Sequence, residues 1–158
     1  MIESEILFEK EKTCCFTGHR VLKNNFNEEK LKKIIETAIE KGYKTFLTGM
    51  AIGFDLKACE TLLNYKEKGI EIVACIPCKG QEALFNKKQK QQYNNCLKNV
   101  DKKIYLNESY FEGCMQQRNR FMVDNSSLVI AYYYSAQGGT YHTVNYAERK
   151  KREIIFIE

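Results

Sequence analysis

The chain has 158 residues, 44% hydrophobic and 28% charged, with nine Gly, one Pro and a formal charge of +5. A chain of this length buries roughly 68 to 70% of its unfolded surface, enough for a full core without disulfides or metals, and one domain over 1–158 is expected. The composition excludes a disordered, collagen-like or Pro-rich chain, and the longest uncharged apolar runs, such as 127–134, fall far short of the ~20 residues that cross a bilayer.

In chain order, an apolar and β-branched run at 13–17 predicts the first strand. Asn27 then caps a helix over 28–41, whose Leu31, Ile34, Ile35, Ala38 and Ile39 trace one face and which stops at Gly42. A strand at 44–48 follows, then a helix over about 54–68 that ends before Gly69. Both helices run into a strand through a C-terminal glycine, as a short αβ connection does. Strands at 71–76, 103–106, 128–133 and 153–157 alternate with weaker helical patterns at 82–98, 114–124 and 140–151. This alternation demands right-handed βαβ crossovers and a mostly parallel sheet covered on both faces. The expected architecture is therefore α/β, a Rossmann-like three-layer sandwich of about six strands.

The N-terminal stretch 1–11 alternates acidic and apolar residues without the long apolar run of a secretory leader, so a cytoplasmic protein with no membrane partner is expected. Seven Cys is an odd number, and they sit in apolar strand-like or helical stretches, which reads as reduced, buried small hydrophobes. Cys75 and Cys78, in CIPC, have the spacing of a thioredoxin-type pair. That chemistry needs an exposed first thiol at a helix N-terminus, whereas Cys75 falls inside an apolar strand. Neither His has a Cys at zinc-finger spacing, so no metal is expected.

In a parallel sheet the loops that follow strands are neighbours in space, and ligands of open α/β sheets bind among them. After the first strand come Thr17, Gly18, His19 and Arg20. After the second come Thr48, Gly49, Met50, Ala51, Ile52, Gly53, Phe54 and Asp55. The third is followed by Pro77, Cys78, Lys79, Gly80 and Gln81, and the fifth by Tyr132, Tyr133 and Tyr134, then Gln137, Gly138, Gly139 and Thr140. Six of the nine glycines lie in these four loops, where they allow close backbone approach and a helix N-terminus can face an anion. Gly138, Gly139 and Thr140 open the last helix and form a phosphate cradle in miniature. An isolated Gly-Gly-Thr is more simply a capped turn, but four Gly-bearing loops on one edge favour a nucleotide or sugar-phosphate site. No GxGxxG or GxxxxGK[ST] pattern is present, which argues against a standard dinucleotide site or ATPase.

Only five of the 25 basic residues are Arg. Arg149 and Arg152 belong to a solvated helix end. Arg20 sits on the proposed edge, where its planar fork suits phosphate. Arg118 and Asn119 share a helix with Met115 and Met122, which leaves ligand binding and a helix-to-loop contact equally open. His19 is a candidate acid or base, although no Ser, Cys or carboxylate lies at a spacing that implies a triad.

TGHR after the first strand, GMAIGFD after the second, IPCKGQ after the third, then RNRFMVD and GGT, together closely resemble the YpsA-like family of the SLOG superfamily. That superfamily also contains DNA-processing protein A and the LOG phosphoribohydrolases. The resemblance implies a nucleotide-binding Rossmann-like domain, with ligand-binding roles for Gly18, Arg20, Gly49, Gly53, Asp55, Arg118, Asn119, Gly138, Gly139 and Thr140. LOG-type enzymes carry PGGxGTxxE, whose Glu assists glycosidic cleavage. This chain has QGGTYHTV, with Thr143 in the place of the Glu and Glu148 more than a helical turn beyond. The remaining carboxylates, Asp55 and Asp124, are candidates for catalysis, for holding a ribose hydroxyl or for capping a helix.

The leading expectation is non-catalytic sensing or sequestration of a nucleotide or ADP-ribose-like ligand, with no cofactor required. An alternative is a nucleoside-phosphate N-glycosidase using Asp55 or Asp124. A further alternative is single-stranded nucleic-acid binding, because 79–103 holds seven Lys against two acids, although a solvated helix face explains that charge more simply. The resemblance also leaves a homodimer open, since superfamily relatives often pair.

Overall fold

Apolar, β-branched runs alternate with helical stripes along the chain, and each run becomes a strand of one sheet. In the computed structural model, which describes residues 6–157, the strands are β1 (Thr13–Gly18), β2 (Thr45–Thr48), β3 (Glu71–Ile76), β4 (Lys102–Tyr105), β5 (Leu128–Tyr132) and β6 (Glu153–Ile157). Their order is β4-β3-β2-β1-β5-β6 and every pairing is parallel, so the sheet expected to be mostly parallel is wholly so. The part of the N-terminal stretch before Ile6, read above for a leader, lies outside the described residues, as does Glu158.

Five helices cover the sheet: α1 (Glu28–Glu40), α2 (Phe54–Leu62), α3 (Lys87–Asn99), α4 (Cys114–Asp124) and α5 (Gly138–Arg149). Alternate strand residues point to opposite faces. Phe16, Phe46, Ile72 and Ile130 thus pack with Leu31, Ile35, Leu56 and Tyr93 of α1, α2 and α3. Cys15, Leu47, Val73 and Val129 pack on the other face with Phe121, Met122 and Tyr146 of α4 and α5. Because both faces are covered, the central strands are apolar without a polar side. All seven Cys are unpaired and buried, as expected from their apolar settings. Among the described residues no helix is long and apolar enough to cross a membrane.

Three helices depart from their expected bounds for local reasons. The pattern at 82–98 is two elements, a 3-10 turn (Gln81–Leu84) and α3, because Asn86 starts a new helix through a capping box: its side chain accepts the Gln89 N–H at 2.8 Å, while Gln89 accepts the Asn86 N–H at 2.9 Å. The pattern at 54–68 is α2 followed by a 3-10 segment (Leu63–Lys68). The last helix begins at Gly138, so the Gly-Gly pair forms its first turn rather than preceding it. Asn27 caps α1 as expected, accepting the Lys30 N–H at 3.0 Å.

From β1 the chain winds to β4 on one side, and the long crossover through α4 then sets β5 on the other side of β1. A crevice therefore opens beyond the carboxyl ends of β1 and β5, where ligands of such sheets bind.

Candidate functional site

The crevice is a cleft of about 420 Å³, built by the loops after β1, β2 and β5 together with the first half of α4. The β1 and β5 loops are tied to each other. The Tyr132 hydroxyl accepts the Lys23 N–H at 3.0 Å, and the Tyr134 hydroxyl donates to the Val21 carbonyl at 2.9 Å. The His19 ring centroid lies 4.2 Å from that of Tyr134, and its Nε2 accepts the Ser135 N–H at 3.3 Å. Accepting that bond requires the neutral ring, and both partial burial and the nearby Lys23 lower the His19 pKa in the same sense.

The β2–α2 turn is welded to the β1 loop by missing side chains. Gly53 has φ +84°, and a Cβ there would run into the Arg20 backbone; a Cβ on Gly18 would lie 2.5 Å from Phe54 Cβ. Thr48 Oγ1 donates to the Asp55 carbonyl at 3.2 Å and accepts the Met50 N–H at 3.4 Å. These bonds hold buried Met50 at φ +62°, a left-handed conformation that a non-glycine residue adopts at a cost of order 1–2 kcal/mol.

Beneath this turn lie Asp55 and Arg118, only 6% and 3% exposed. Arg118 donates from Nη1 to the Gly49 carbonyl and from Nε to Asn119 Oδ1 at 2.7 Å. Gln81 Nε2 supports the same Gly49 carbonyl from behind at 3.0 Å. Asp55 Oδ2 accepts the Ala51 N–H at a long 3.4 Å, and Oδ1 is buried with no hydrogen-bond partner among the described residues. Burial pushes the Asp55 carboxyl up to about 6, against the pull of the Arg118 charge and the Ala51 N–H.

The opposite wall is the start of α5. Gly138 and Gly139 are exposed, and Gln137, in extended conformation, offers no side-chain cap to the first-turn N–H groups. This uncapped turn, with the positive end of the helix dipole, borders the cleft that the exposed Arg20 also lines. Thr143, in the position where LOG enzymes carry Glu, is buried and donates its hydroxyl to the Gly139 carbonyl at 2.8 Å.

Of the residues singled out from sequence, Gly18, His19, Arg20, Asp55, Arg118, Asn119, Gly138, Gly139 and Thr140 line the cleft together. Thr48, Gly49, Met50, Gly53 and Tyr132 stand behind them as supports. Pro77 and Gln81 are not on the wall, because the third glycine loop turns away: Gly80 borders a separate depression with Lys79, Tyr93 and Tyr105. Asp124 is not in the cleft either. It ends α4 away from the carboxyl edge of the sheet and accepts the Tyr146 hydroxyl at 2.7 Å. Thr17, Ala51 and Tyr134, placed by sequence in the edge loops, also line it, and Val21 and Met115, which sequence reading did not place there, complete the wall. Val21, Met115 and Tyr134 are 65%, 38% and 40% exposed, an apolar and aromatic rim whose only sequence signal was the Tyr run. Chemically the lining combines a helix N-terminus and an arginine suited to an anion, a buried carboxylate acceptor and exposed apolar and aromatic side chains. Among the described residues no three His, Cys, Asp or Glu cluster as metal ligands.

Comparison with known proteins agrees with this architecture. The chain is 31% identical over 137 residues to the uncharacterized SPbeta prophage-derived protein YoqJ of Bacillus subtilis, covering 77% of this chain and 80% of that one. It is 27% identical to a UPF0398 protein of Bacillus velezensis, covering 77% and 71%. DNA processing protein A of Streptococcus pneumoniae superposes with a TM-score of 0.61 at 19% identity, over 94% of this chain and half of that protein. Its counterpart from Helicobacter pylori, which binds single-stranded DNA, superposes at 0.69 with 15% identity, over 93% of this chain and 65% of that one. At such identities the likeness is one of fold, and this chain spans only part of either protein. The model of the YspA SLOG family matches residues 14–158. With nearly its whole length matched, the chain belongs to the YpsA family of SLOG proteins.

Proposed function

We propose that the cleft binds a nucleotide or ADP-ribose-like ligand, for sensing or sequestration rather than turnover. The observation that carries this reading is the uncapped first turn of α5, whose Gly138 and Gly139 line the cleft that Arg20 also lines. A phosphate seated there replaces the missing cap, gains the helix dipole and meets a guanidinium fork. The exposed rim of Tyr134, Met115 and Val21 suits the flat face of a base. Thr143 supplies no carboxyl where the LOG enzymes have theirs, which favours binding without glycosidic cleavage. Isothermal calorimetry and thermal-shift measurements against nucleoside mono-, di- and triphosphates, cyclic nucleotides and ADP-ribose test this. At least one should bind with a dissociation constant below millimolar, and a folded protein that binds none refutes it.

Asp55 favours one catalytic alternative, since a carboxyl near 6 at the cleft is poised to exchange a proton with a leaving base. Asp124 lies outside the cleft lining, which favours Asp55 for that role. Free base released from nucleoside monophosphates, and its loss in Asp55→Asn, would establish an N-glycosidase. Single-stranded nucleic acid is a separate reading, supported by the fold shared with the DNA-binding H. pylori protein and by the exposed lysines 79, 87, 88, 90, 98, 102 and 103. It requires binding whose affinity falls steeply with salt.

A further inference from the structure

Among the described residues Asp55 is the cleft side chain that carries a buried oxygen without a hydrogen-bond partner. Its Oδ1 is buried without a partner among the described residues, and its Oδ2 holds one long bond to Ala51. Arg118 acts on it electrostatically but makes no ion pair with it among the described residues; its Nη1 and Nε bond instead to Gly49 and Asn119. A buried acceptor left unmade is costly, so a site that preserves one is completed by a donor from outside. A divalent cation is a poor candidate, since no second and third carboxylate, His or Cys joins Asp55 among the described residues. An uncharged hydroxyl fits better, being small, a donor, and tolerant of the nearby Arg118 charge.

We infer that Asp55 receives a ribose hydroxyl of the bound nucleotide, so that the cleft selects ribonucleotides over their deoxy counterparts. This rests on the nucleotide reading above, with the phosphate at the α5 N-terminus and the pentose lying between it and Asp55. The Asp55 floor and the α5 turn line the same cleft, which gives one ligand both contacts. A pentose lacking the hydroxyl leaves Oδ1 buried and unpaired in the complex, and sites built to bond a hydroxyl reject analogues without it strongly. A cleft of this kind is also a poor seat for a DNA strand, which separates it from any DNA-binding surface along the exposed lysines.

The test is calorimetry of the intact chain with the four ribonucleoside 5′-monophosphates and the 2′-deoxy and 3′-deoxy forms of each. At least one deoxy form should bind 10-fold or more weakly than its ribonucleotide. In Asp55→Ala, which removes the acceptor that an Asn would retain, and checked for folding by circular dichroism, that ratio should fall below 3-fold. Ribonucleotides that bind wild-type protein no better than both deoxy forms overturn the inference and leave the nucleotide reading standing. If the ratio survives in Asp55→Ala, the hydroxyl is read elsewhere and the assignment to Asp55 falls. If no nucleotide of any kind binds, the underlying reading fails and takes this one with it.

Discussion

Asp55 and Arg118 close on Gly49 together: a Cβ on that glycine would lie 2.8 Å from Asp55 Oδ2 and 2.8 Å from the Arg118 guanidinium carbon. All three are buried, and Gly49 also lends its carbonyl to Arg118 and Gln81. Gly49→Ala must push the ends of both side chains aside toward the cleft and strain the Arg118 bond to the Gly49 carbonyl. A loss of about 1–3 kcal/mol in urea denaturation is expected, the cost of overpacking a tight site. Nucleotide affinity should fall with it, because the displaced side chains form the cleft floor.

The raised Asp55 carboxyl has a signature in stability against pH. Its folded value of about 6 exceeds the ordinary 3.8, so the native state binds the proton more tightly than the unfolded chain. This group therefore makes folding less favourable as pH rises from about 4 to about 6, and its cost is constant above that window. The shift amounts to about 3 kcal/mol at roughly 1.4 kcal/mol per unit. Asp55→Asn has no such slope. The stability of the variant minus that of wild type, from urea denaturation at pH 4, 5, 6 and 7, should grow by a few kcal/mol across the series. A constant difference would mean that Arg118 fully compensates the buried charge.

Arg20 and Gly139 can be changed without disturbing the core. Arg20 is exposed, and a Cβ on Gly139 meets only Asn119 Nδ2, at 4.0 Å. Arg20→Ala and Gly139→Val should each stay within about 0.5–1 kcal/mol of wild-type stability, as surface changes do. Each should weaken nucleotide binding at least 10-fold, the first by removing the fork and the second by blocking close approach to the α5 donors. Calorimetry paired with thermal melts separates these outcomes.

The seven thiols are all buried, and burial raises the pKa of Cys14, Cys15, Cys75 and Cys78. None should react quickly with a chromogenic disulfide reagent at pH 8 in the native protein, and all seven should react once it is unfolded in urea. Rapid labelling of Cys75 or Cys78 in the folded chain would restore the redox reading of CIPC.

The sheet and helices were legible because strand and helix patterns alternate without interruption. The site was less so, and the glycines explain why. Gly18, Gly49 and Gly53 lack a side chain to make room for Phe54, for Asp55 and Arg118, and for the Arg20 backbone, whereas Gly138 and Gly139 face open space or a distant Asn119 amide. A sequence shows only that a Cβ is missing, not whether protein or ligand fills its place. Gly80 marks a turn beside a separate depression, and its loop reaches the cleft only from behind, through the Gln81 bond to the Gly49 carbonyl. The two aspartates differ in a way that topology does encode. Asp55 lies in the first turn of α2, and Asp124 is the last residue of α4. A helix that returns from the carboxyl edge of a parallel sheet ends at the opposite edge, so only the first of the two can reach the cleft. The capping box at Asn86 was also present in the letters, hidden inside an otherwise continuous polar helix pattern.

The ties from Tyr132 and Tyr134 to the β1 loop have a mechanical consequence. They join two of the cleft walls into a single body, braced further by the close fit of Gly53 against Arg20. The third wall, α4, belongs to the helix layer on the other face of the sheet and meets the β2–α2 turn through the Arg118 bond to the Gly49 carbonyl. Displacing either loop therefore means breaking the Tyr132 and Tyr134 bonds together, so these two walls meet a ligand as one surface.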